Sequence, residues 1–479
     1  MDLHDLLEDF TSHSVEITGI ASDSREVKPG HLYVALPSLS GKDSKPFITQ
    51  ALSKGAVVIV AQPAVCRSFD ASSALFIASD DPRQSLAQIA SRFFREKPAV
   101  LAAVTGTNGK TSVAEFARQF WENASHKAAS IGTLGVIGAE RTHLIENSFA
   151  SPDTVKLHAI LRTLALEGYT HTTLEASSHG LHQHRLDELP FKVAAFTNLS
   201  QDHLDYHHTL DQYFQAKTLL FSRVLPRHGI AVLNADVKEF KLLQTVCQKR
   251  EQTIFSYGEK GETFKILSRK PHPRGQEITL RINQITHDFF FPLIGHFQIM
   301  NALGAAGIAL ATGVPMGQIL STLATLQSVP GRLQRIGTTH AGGEVYVDYA
   351  HTPDALEKIL LTLRDHTAGK LWVVFGAGGE RDELKRPLMG KAARLYADKI
   401  IVTDDNPRGE SPARIRSEVL EGCPDSLNIG DREEAIQKGI KSLEAGDTLV
   451  IAGKGHEKIQ IIGDVSYPFN DAAIAASYL

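Results

Sequence analysis

Two hydrophobic patterns alternate along the chain. Unbroken apolar runs at 56–60, 99–104 and 371–375, and the run at 448–452 after its leading Thr448, predict strands covered on both faces, and further strand-like runs lie at 31–36, 127–138 and 169–174. Between them, stretches at 45–54, 83–95, 110–121 and 210–221 predict helices, and a helix rich in small residues is expected after Gly295. Strand-helix alternation of this kind predicts an α/β fold. The pattern is interrupted at Lys97 and Pro98 and again at Pro330 and Gly331. Three domains are therefore expected, 1–97, 98–328 and 329–479, with hinges that would let them close around ligands.

Composition narrows the class. A chain of 479 residues exceeds one core, and 42% hydrophobic with 22% charged residues is ordinary for a globular protein. A net charge of −4 offers no bulk attraction to nucleic acid or an anionic membrane. The start of the chain is acidic rather than basic, and the apolar stretch at 294–315 is interrupted by His296, Gln298 and Asn301, so neither a leader peptide nor membrane insertion is expected. Cys66, Cys247 and Cys423 match no metal or disulfide spacing. A cytoplasmic location is expected.

The clearest chemistry follows the run at 99–104. Gly106, Thr107, Asn108, Gly109, Lys110, Thr111 and Ser112 form a glycine-bounded turn that opens a predicted helix. Backbone N–H groups at such a turn cradle phosphate, the lysine adds a point charge and the threonine hydroxyl suits magnesium. The strict eight-residue pattern fails, because Val104 stands where its first glycine would be. An ATP site on the shorter loop is expected. Glu175, at a strand end before Gly180, stands where phosphate-loop enzymes carry a magnesium-binding acid, with a helix-capping role as the alternative. Residues 202–208 hold three His and two Asp, which either ligate a hard cation or form a solvated loop. Periodicity reads Lys217 as an ordinary helix-surface lysine, and residues 22–25 as a solvated turn.

Past 329, four predicted strands end in polar loops: Asp348 to His351, Gly376 to Asp382, Asp404 to Arg408 and Gly453 to Glu457. In a parallel sheet these loops share the carboxyl edge, where α/β proteins bind ligands. A dinucleotide fingerprint is excluded at 376, since Arg381 occupies its last glycine position. Four such loops bearing Arg381, Arg408, His456 and Glu457 predict a site for a charged small molecule.

In order, the phosphate loop, Glu175 to Gly180, Thr197 to His203, Tyr213 to Lys217, Asn301, Pro330 to Arg332 and Asp348 to His351 resemble the Mur ligase family over essentially the whole chain. These are ATP-dependent amino-acid-adding enzymes of peptidoglycan synthesis. The resemblance implies a uridine-nucleotide-binding first domain, a phosphate-loop ATPase-like central domain and a Rossmann-like third. It implies ATP and Mg2+ as cofactors, small-molecule substrates and a monomer. The tetrapeptide Asp405, Asn406, Pro407 and Arg408 is similar to the signature of the members that add meso-diaminopimelate to UDP-N-acetylmuramoyl-L-alanyl-D-glutamate. An arginine fork suits that amino acid's second carboxylate.

The resemblance also implies roles residue by residue. Lys110, Glu175, His203 and Lys217 are the catalytic set. Thr111, Glu175, His203 and Lys217 would hold magnesium, Lys217 as the carbamate, N6-carboxylysine. Asn301, Arg332, Asp348 and His351 would join the phosphate loop around ATP. Ser24, Ser151, Ser177, Gln183 and Arg185 would contact the nucleotide-sugar dipeptide. Arg381, Asp405, Asn406, Pro407, Arg408, Gly453 and Glu457 would hold diaminopimelate. The chain departs from the family at Ala150, where threonine is usual, and at Asp43 and Ser44, where Asp-Gly is common. Three rivals are a lysine-adding ligase, opposed by Arg408, a folylpolyglutamate synthase-like ligase, opposed by the first domain, and a non-catalytic nucleotide-binding scaffold, opposed by the intact chemistry residues.

Overall fold

A computed structural model of the protein describes residues 1–7, 15–38, 43–70, 74–139 and 151–479; Ala150 lies outside them. Packing divides the chain into two compact units, Met1–Thr263 with Gly304–Ile319 and Phe264–Leu303 with Leu320–Leu479. The expected divide at 97–98 falls inside the first unit, between two sheets, and that at 328–329 falls inside the second.

In the first unit β1 (Gly19–Ala21), β2 (His31–Val34), β3 (Val58–Ala61) and β4 (Leu75–Ala78) form a parallel sheet in sequence order. Period-two alternation sends Leu32, Val34, Val58 and Val60 to one core and Tyr33, Ile59 and Ala61 to the other. Helix Pro82–Phe93 closes the first of these, capped by Asp81 with proline at its start.

The unit's second sheet contains β5 (Val100–Thr105), β6 (Ala128–Gly132), β7 (Gly135–Ile137), β8 (His171–Glu175), β9 (Phe191–Phe196), β10 (Ile230–Asn234) and β11 (Thr253–Gly258). They run in the order β11-β10-β9-β5-β8-β6-β7, parallel except for the β6–β7 hairpin. Strand β5 is buried throughout and central. Its register sets Val104 opposite Glu175 of β8 and Ala195 of β9, so the loops after all three strands emerge together.

The second unit has an antiparallel meander, β12 (Phe264–His272), β13 (Gly275–Ile282) and β14 (Ile285–Phe291). Its main sheet comprises β15 (Gln334–Thr338), β16 (Glu344–Asp348), β17 (Leu371–Phe375), β18 (Lys399–Val402), β19 (Leu427–Asn428) and β20 (Thr448–Ala452). The order is β15-β16-β20-β17-β18-β19, parallel apart from the edge strand β15. Val345, Val347, Val374 and Ile451 fill one core and Tyr346, Val373, Phe375 and Val450 the other. Because β16, β20, β17 and β18 are mutually parallel, their four polar loops do share one edge. A hairpin, β21 (Ile459–Ile462) and β22 (Val465–Pro468), follows. Among the described residues no helix is long and apolar enough to cross a membrane.

Candidate active site

In the first unit the phosphate loop is built on two glycines whose backbone conformations other residues rarely adopt. Gly106 has φ 147° and Gly109, which precedes helix Lys110–Asn123, has φ 86°. A Cβ at Gly106 would collide with the Thr197 hydroxyl. The segment after β9 braces the loop from outside. Thr107 N–H donates to Asn198 O (2.9 Å), Asn108 N–H to Asn198 Oδ1 (3.0 Å), and the Thr197 hydroxyl to Asn108 O (2.6 Å). Lys110 Nζ curls onto the loop, donating to Thr107 O (2.8 Å) and Gly106 O (3.1 Å). Ser200 N–H adds a bond to the Thr107 hydroxyl (3.0 Å), and this bracing by Thr197, Asn198 and Ser200 carries no glycine or charge signal, so sequence reasoning assigned it no structural role.

Glu175 ends β8 buried and accepts from the Thr111 hydroxyl (2.8 Å), Thr133 N–H (2.8 Å) and the Thr133 hydroxyl (3.2 Å). Thr133 went unseen in the sequence, where it reads as one polar residue in a turn. The capping alternative for Glu175 does not apply: Ser177 is the N-cap of helix Ser178–His182 and accepts from Gly180 N–H. Ser151 bonds Glu175 O (2.8 Å) and receives Ser177 N–H (3.0 Å). Arg185 donates to Ser151 O (2.9 Å) and Gln183 Oε1 (2.8 Å), so four of the expected dipeptide contacts lie side by side. Ser24 sits apart from them, in the single helical turn Ser24–Glu26 between β1 and β2. It is buried and bonded to Gln50 (2.6 Å), which corrects its reading as a solvated turn.

Lys217 is the other correction. It lies in helix Leu210–Leu219, shares a buried face with Tyr213 and Ala216, and is 1% exposed. Its Nζ donates to Gly106 O (2.6 Å) and lies 4.2 Å over the Tyr213 ring. Burial, and then the Lys110 charge, push its pKa well below the usual lysine range, favouring a neutral and nucleophilic amine. His203 is exposed on a left-handed turn, its ring 6.0 Å from the same Tyr213 and 4.9 Å from His179. The His-rich loop is not a closed cage: His207 is buried against Ser178 (2.9 Å), its pKa pushed down to about 4 by burial first and then by the neighbouring imidazoles. Among the described residues no group of three His, Cys, Asp or Glu side chains could hold a metal. The adjacent Thr111 and Glu175 oxygens are nevertheless hard ligands of the kind magnesium accepts.

The second unit carries the rest. Asp348 closes β16 and accepts from Leu333 N–H (2.7 Å) and Ala350 N–H (2.8 Å), which ties the Arg332 turn to the sheet edge. Burial raises its pKa against those bonds. Arg332 lies 5.2 Å over the Tyr349 ring, and His351 and His456 flank the same ring at 4.6 and 5.1 Å. Gly331 (φ 68°) is required there, since a Cβ would collide with His456 N. Asn301 is buried in helix His296–Ala311, one turn from Gln298, which donates to Arg332 O (3.0 Å).

The loops after β18 and β20 form a charged pocket. Asn406 Nδ2 donates to Glu457 Oε2 (3.0 Å), and Arg408 donates to Gly379 O (2.8 Å). Gly453 (φ 117°) brings the β20 end close to Asp405, whose Oδ2 would be 2.8 Å from an added Cβ. Arg381 is exposed, its Cγ 3.8 Å from a Cβ at Gly378. Hairpin β21–β22 is seamed to Arg408: Arg408 N–H donates to Ile461 O (3.1 Å) and Gly463 N–H to Arg408 O (2.8 Å). Behind the pocket Arg432 and Asp471, their side chains both 0% exposed, form a bidentate pair (2.8 and 2.7 Å), and Arg432 also donates to Ala452 O (3.0 Å) and Asp404 O (3.3 Å). This pair and the buried Lys454 are absent from the residues expected from sequence; a lysine between two glycines at a strand end was the available signal.

Comparison with known proteins adds a second line. Residues 104–309 match the Mur ligase middle domain and 331–455 the Mur ligase glutamate ligase domain. The chain is 47% identical over 465 residues to the UDP-N-acetylmuramoyl-L-alanyl-D-glutamate–2,6-diaminopimelate ligase of Zymomonas mobilis subsp. mobilis, covering 96% of this chain and 94% of that one. The protein of the same description in Caulobacter vibrioides is 45% identical over 461 residues, 95% and 94% of the two chains. A solved structure of such a ligase superposes with a TM-score of 0.75 at 32% identity, covering 100% of this chain and 98% of that one.

Proposed function

The chain belongs to the Mur ligase family, and from that premise we propose that it joins meso-diaminopimelate to the D-glutamyl γ-carboxylate of UDP-N-acetylmuramoyl-L-alanyl-D-glutamate at the expense of ATP. The observation that carries the choice of amino acid is the junction at Asn406. Its side chain bonds Glu457, and its backbone carbonyl lies 3.5 Å from Arg408 Nη1. A carboxylate and a guanidinium joined in this way suit a side chain that ends in both an ammonium and a carboxylate.

In the first step the γ-carboxylate oxygen bonds the γ-phosphorus of ATP as the bond to ADP breaks, giving an acyl phosphate. The loop N–H groups and Lys110 meet the charge on the transferring phosphoryl group. Thr111, Glu175, His203 and carbamylated Lys217 would hold magnesium, which neutralises phosphate charge when bound. Carbamate forms when the neutral Lys217 amine adds to carbon dioxide and sheds a proton, and its burial supports that reading. In the second step the diaminopimelate amine bonds the acyl carbon, phosphate leaves and the amine proton passes to solvent. Arg408 and Glu457 would hold the two charges at the far end of the amino acid and leave its other amine free to react. Ser151, Ser177, Gln183 and Arg185 hold the dipeptide, and Ser24 the uridine end. We read the protein as a cytoplasmic monomer acting on small molecules.

The test is ADP release with the nucleotide dipeptide, ATP and magnesium, offering meso-diaminopimelate or L-lysine in turn, with bicarbonate present. Turnover that depends on diaminopimelate is expected. Preference for lysine would overturn the pocket reading, and silence with both would overturn the ligase. A carbamate carbon signal from 13C-bicarbonate, absent in Lys217→Arg, is expected alongside.

A further inference from the structure

We propose that Lys454 is a positioning residue that sets the pocket's preference for a side chain ending in ammonium plus carboxylate over one ending in ammonium alone. The proposal rests on the ligase reading above and goes beyond it to a residue that reading does not use.

Lys454 is 0% exposed. A lysine ammonium is kept in such a place only when its donors and charge are matched. Here they are matched by three groups of the pocket. Nζ lies 2.9 Å from Asn406 Oδ1, 3.1 Å from Glu457 Oε2 and 3.8 Å from Asp405 Oδ1. Asn406 Oδ1 also receives Ile461 N–H at 2.9 Å. Two donors on that oxygen fix which way the amide faces, so its Nδ2 is delivered to Glu457 Oε2. Glu457 Oε2 is thus held twice, by Lys454 and Asn406, and the carboxylate is oriented before any ligand arrives.

The balance of charge favours the same ligand. Asp405 and Glu457 together bring two negative charges, and Lys454 offsets one of them. What is left suits a single distal ammonium, while Arg408 on the adjoining loop is available to a distal carboxylate. Without Lys454 the two carboxylates would act undiluted. An incoming carboxylate would meet more repulsion and a plain ammonium more attraction, so discrimination between the two amino acids would fall.

The experiment compares the full-length protein with Lys454→Met, which fills the volume without charge, and Lys454→Gln, which retains a donor for Asn406 without charge. KM and kcat are measured for diaminopimelate, L-lysine, ATP and the nucleotide dipeptide. Acyl phosphate trapped as hydroxamate by hydroxylamine, with no amino acid added, is the internal reference for activation. The expected result in both variants is a KM for diaminopimelate raised about tenfold or more, the size of one lost charge-assisted bond, and a lower diaminopimelate-to-lysine ratio of kcat/KM. Hydroxamate with an unchanged ratio would overturn the proposal. So would an equal rise in KM for all substrates, the mark of a purely structural lysine. If Lys454→Met yields no hydroxamate, Lys454→Gln decides by the same criteria. Absence of hydroxamate in the unsubstituted protein would instead refute the ligase reading.

Discussion

Substituting Gly132 by alanine is the sharpest probe of Glu175. Gly132 ends β6, and an added Cβ would overlap Glu175 Oε1 and lie 2.5 Å from both Cδ and Cγ. The backbone itself accepts alanine, since Gly132 is not among the glycines of positive φ. The strain must therefore fall on Glu175, whose carboxyl end has to move by about 1 Å to restore ordinary contact. Such a shift takes Oε1 away from the Thr111 hydroxyl and Thr133 N–H, both now at 2.8 Å. Hydrogen bonds to a charged group are worth about 2 kcal/mol each, so losing one slows activation about 30-fold and losing both about a thousandfold. Single-turnover hydroxamate formation measures this directly. Glu175→Ala removes both the overlapping atoms and the carboxylate, so adding Gly132→Ala to it should cost little more, and the double variant should be faster than the product of the single effects by at least about 1 kcal/mol of coupling. A Gly132→Ala protein at the unsubstituted rate, or simple additivity in the double variant, would refute the assignment of Glu175 to the reacting site.

Three further outcomes are expected. Asp471→Asn leaves the Arg432 guanidinium buried without its counter-charge and should cost about 3–5 kcal/mol in urea unfolding, much of it recovered by combining Arg432→Met with Asp471→Leu. His158 is fully buried with neither ring nitrogen bonded, and burial pushes its pKa down to about 3 from 6.5. The unfolded chain then binds the proton more tightly, so this residue's contribution to stability is present above pH 6.5 and lost as pH falls toward 3; His158→Leu should flatten the acid side of the Tm-against-pH curve. Arg408→Ala should raise KM for diaminopimelate about tenfold or more while sparing that for L-lysine, as steady-state kinetics with each amine will report.

Much of this was legible in the chain because the informative strands are buried on both faces. Runs such as 371–375 and 448–452 have no polar face to blur them, and their ends mark where ligand loops must begin. The phosphate loop and the Asp405–Arg408 loop were legible for the same reason. Periodicity did not mark Lys217, which only the family resemblance singled out, since polarity alone assigns a lysine to the surface and its burial shows in its tertiary neighbours Tyr213 and Gly106. Ser24 was misread similarly, because Gln50, which buries it, is 26 residues away. Thr133 and Lys454 act through partners 42 and 48 residues distant in sequence, Glu175 and Asn406, and no local pattern encodes such pairings.

The seam between Arg408 and hairpin β21–β22 is made by main-chain groups alone, Arg408 N–H to Ile461 O and Gly463 N–H to Arg408 O. The loop therefore keeps its place whatever side chain position 408 bears. Over evolutionary time that position is free to trade one amino-acid cargo for another without the pocket being rebuilt. The backbone at 408 does restrict the choice: at φ 51°, glycine, asparagine and aspartate enter readily, other unbranched side chains at some cost, and β-branched ones hardly at all. Descendants that change cargo here should draw from that short palette.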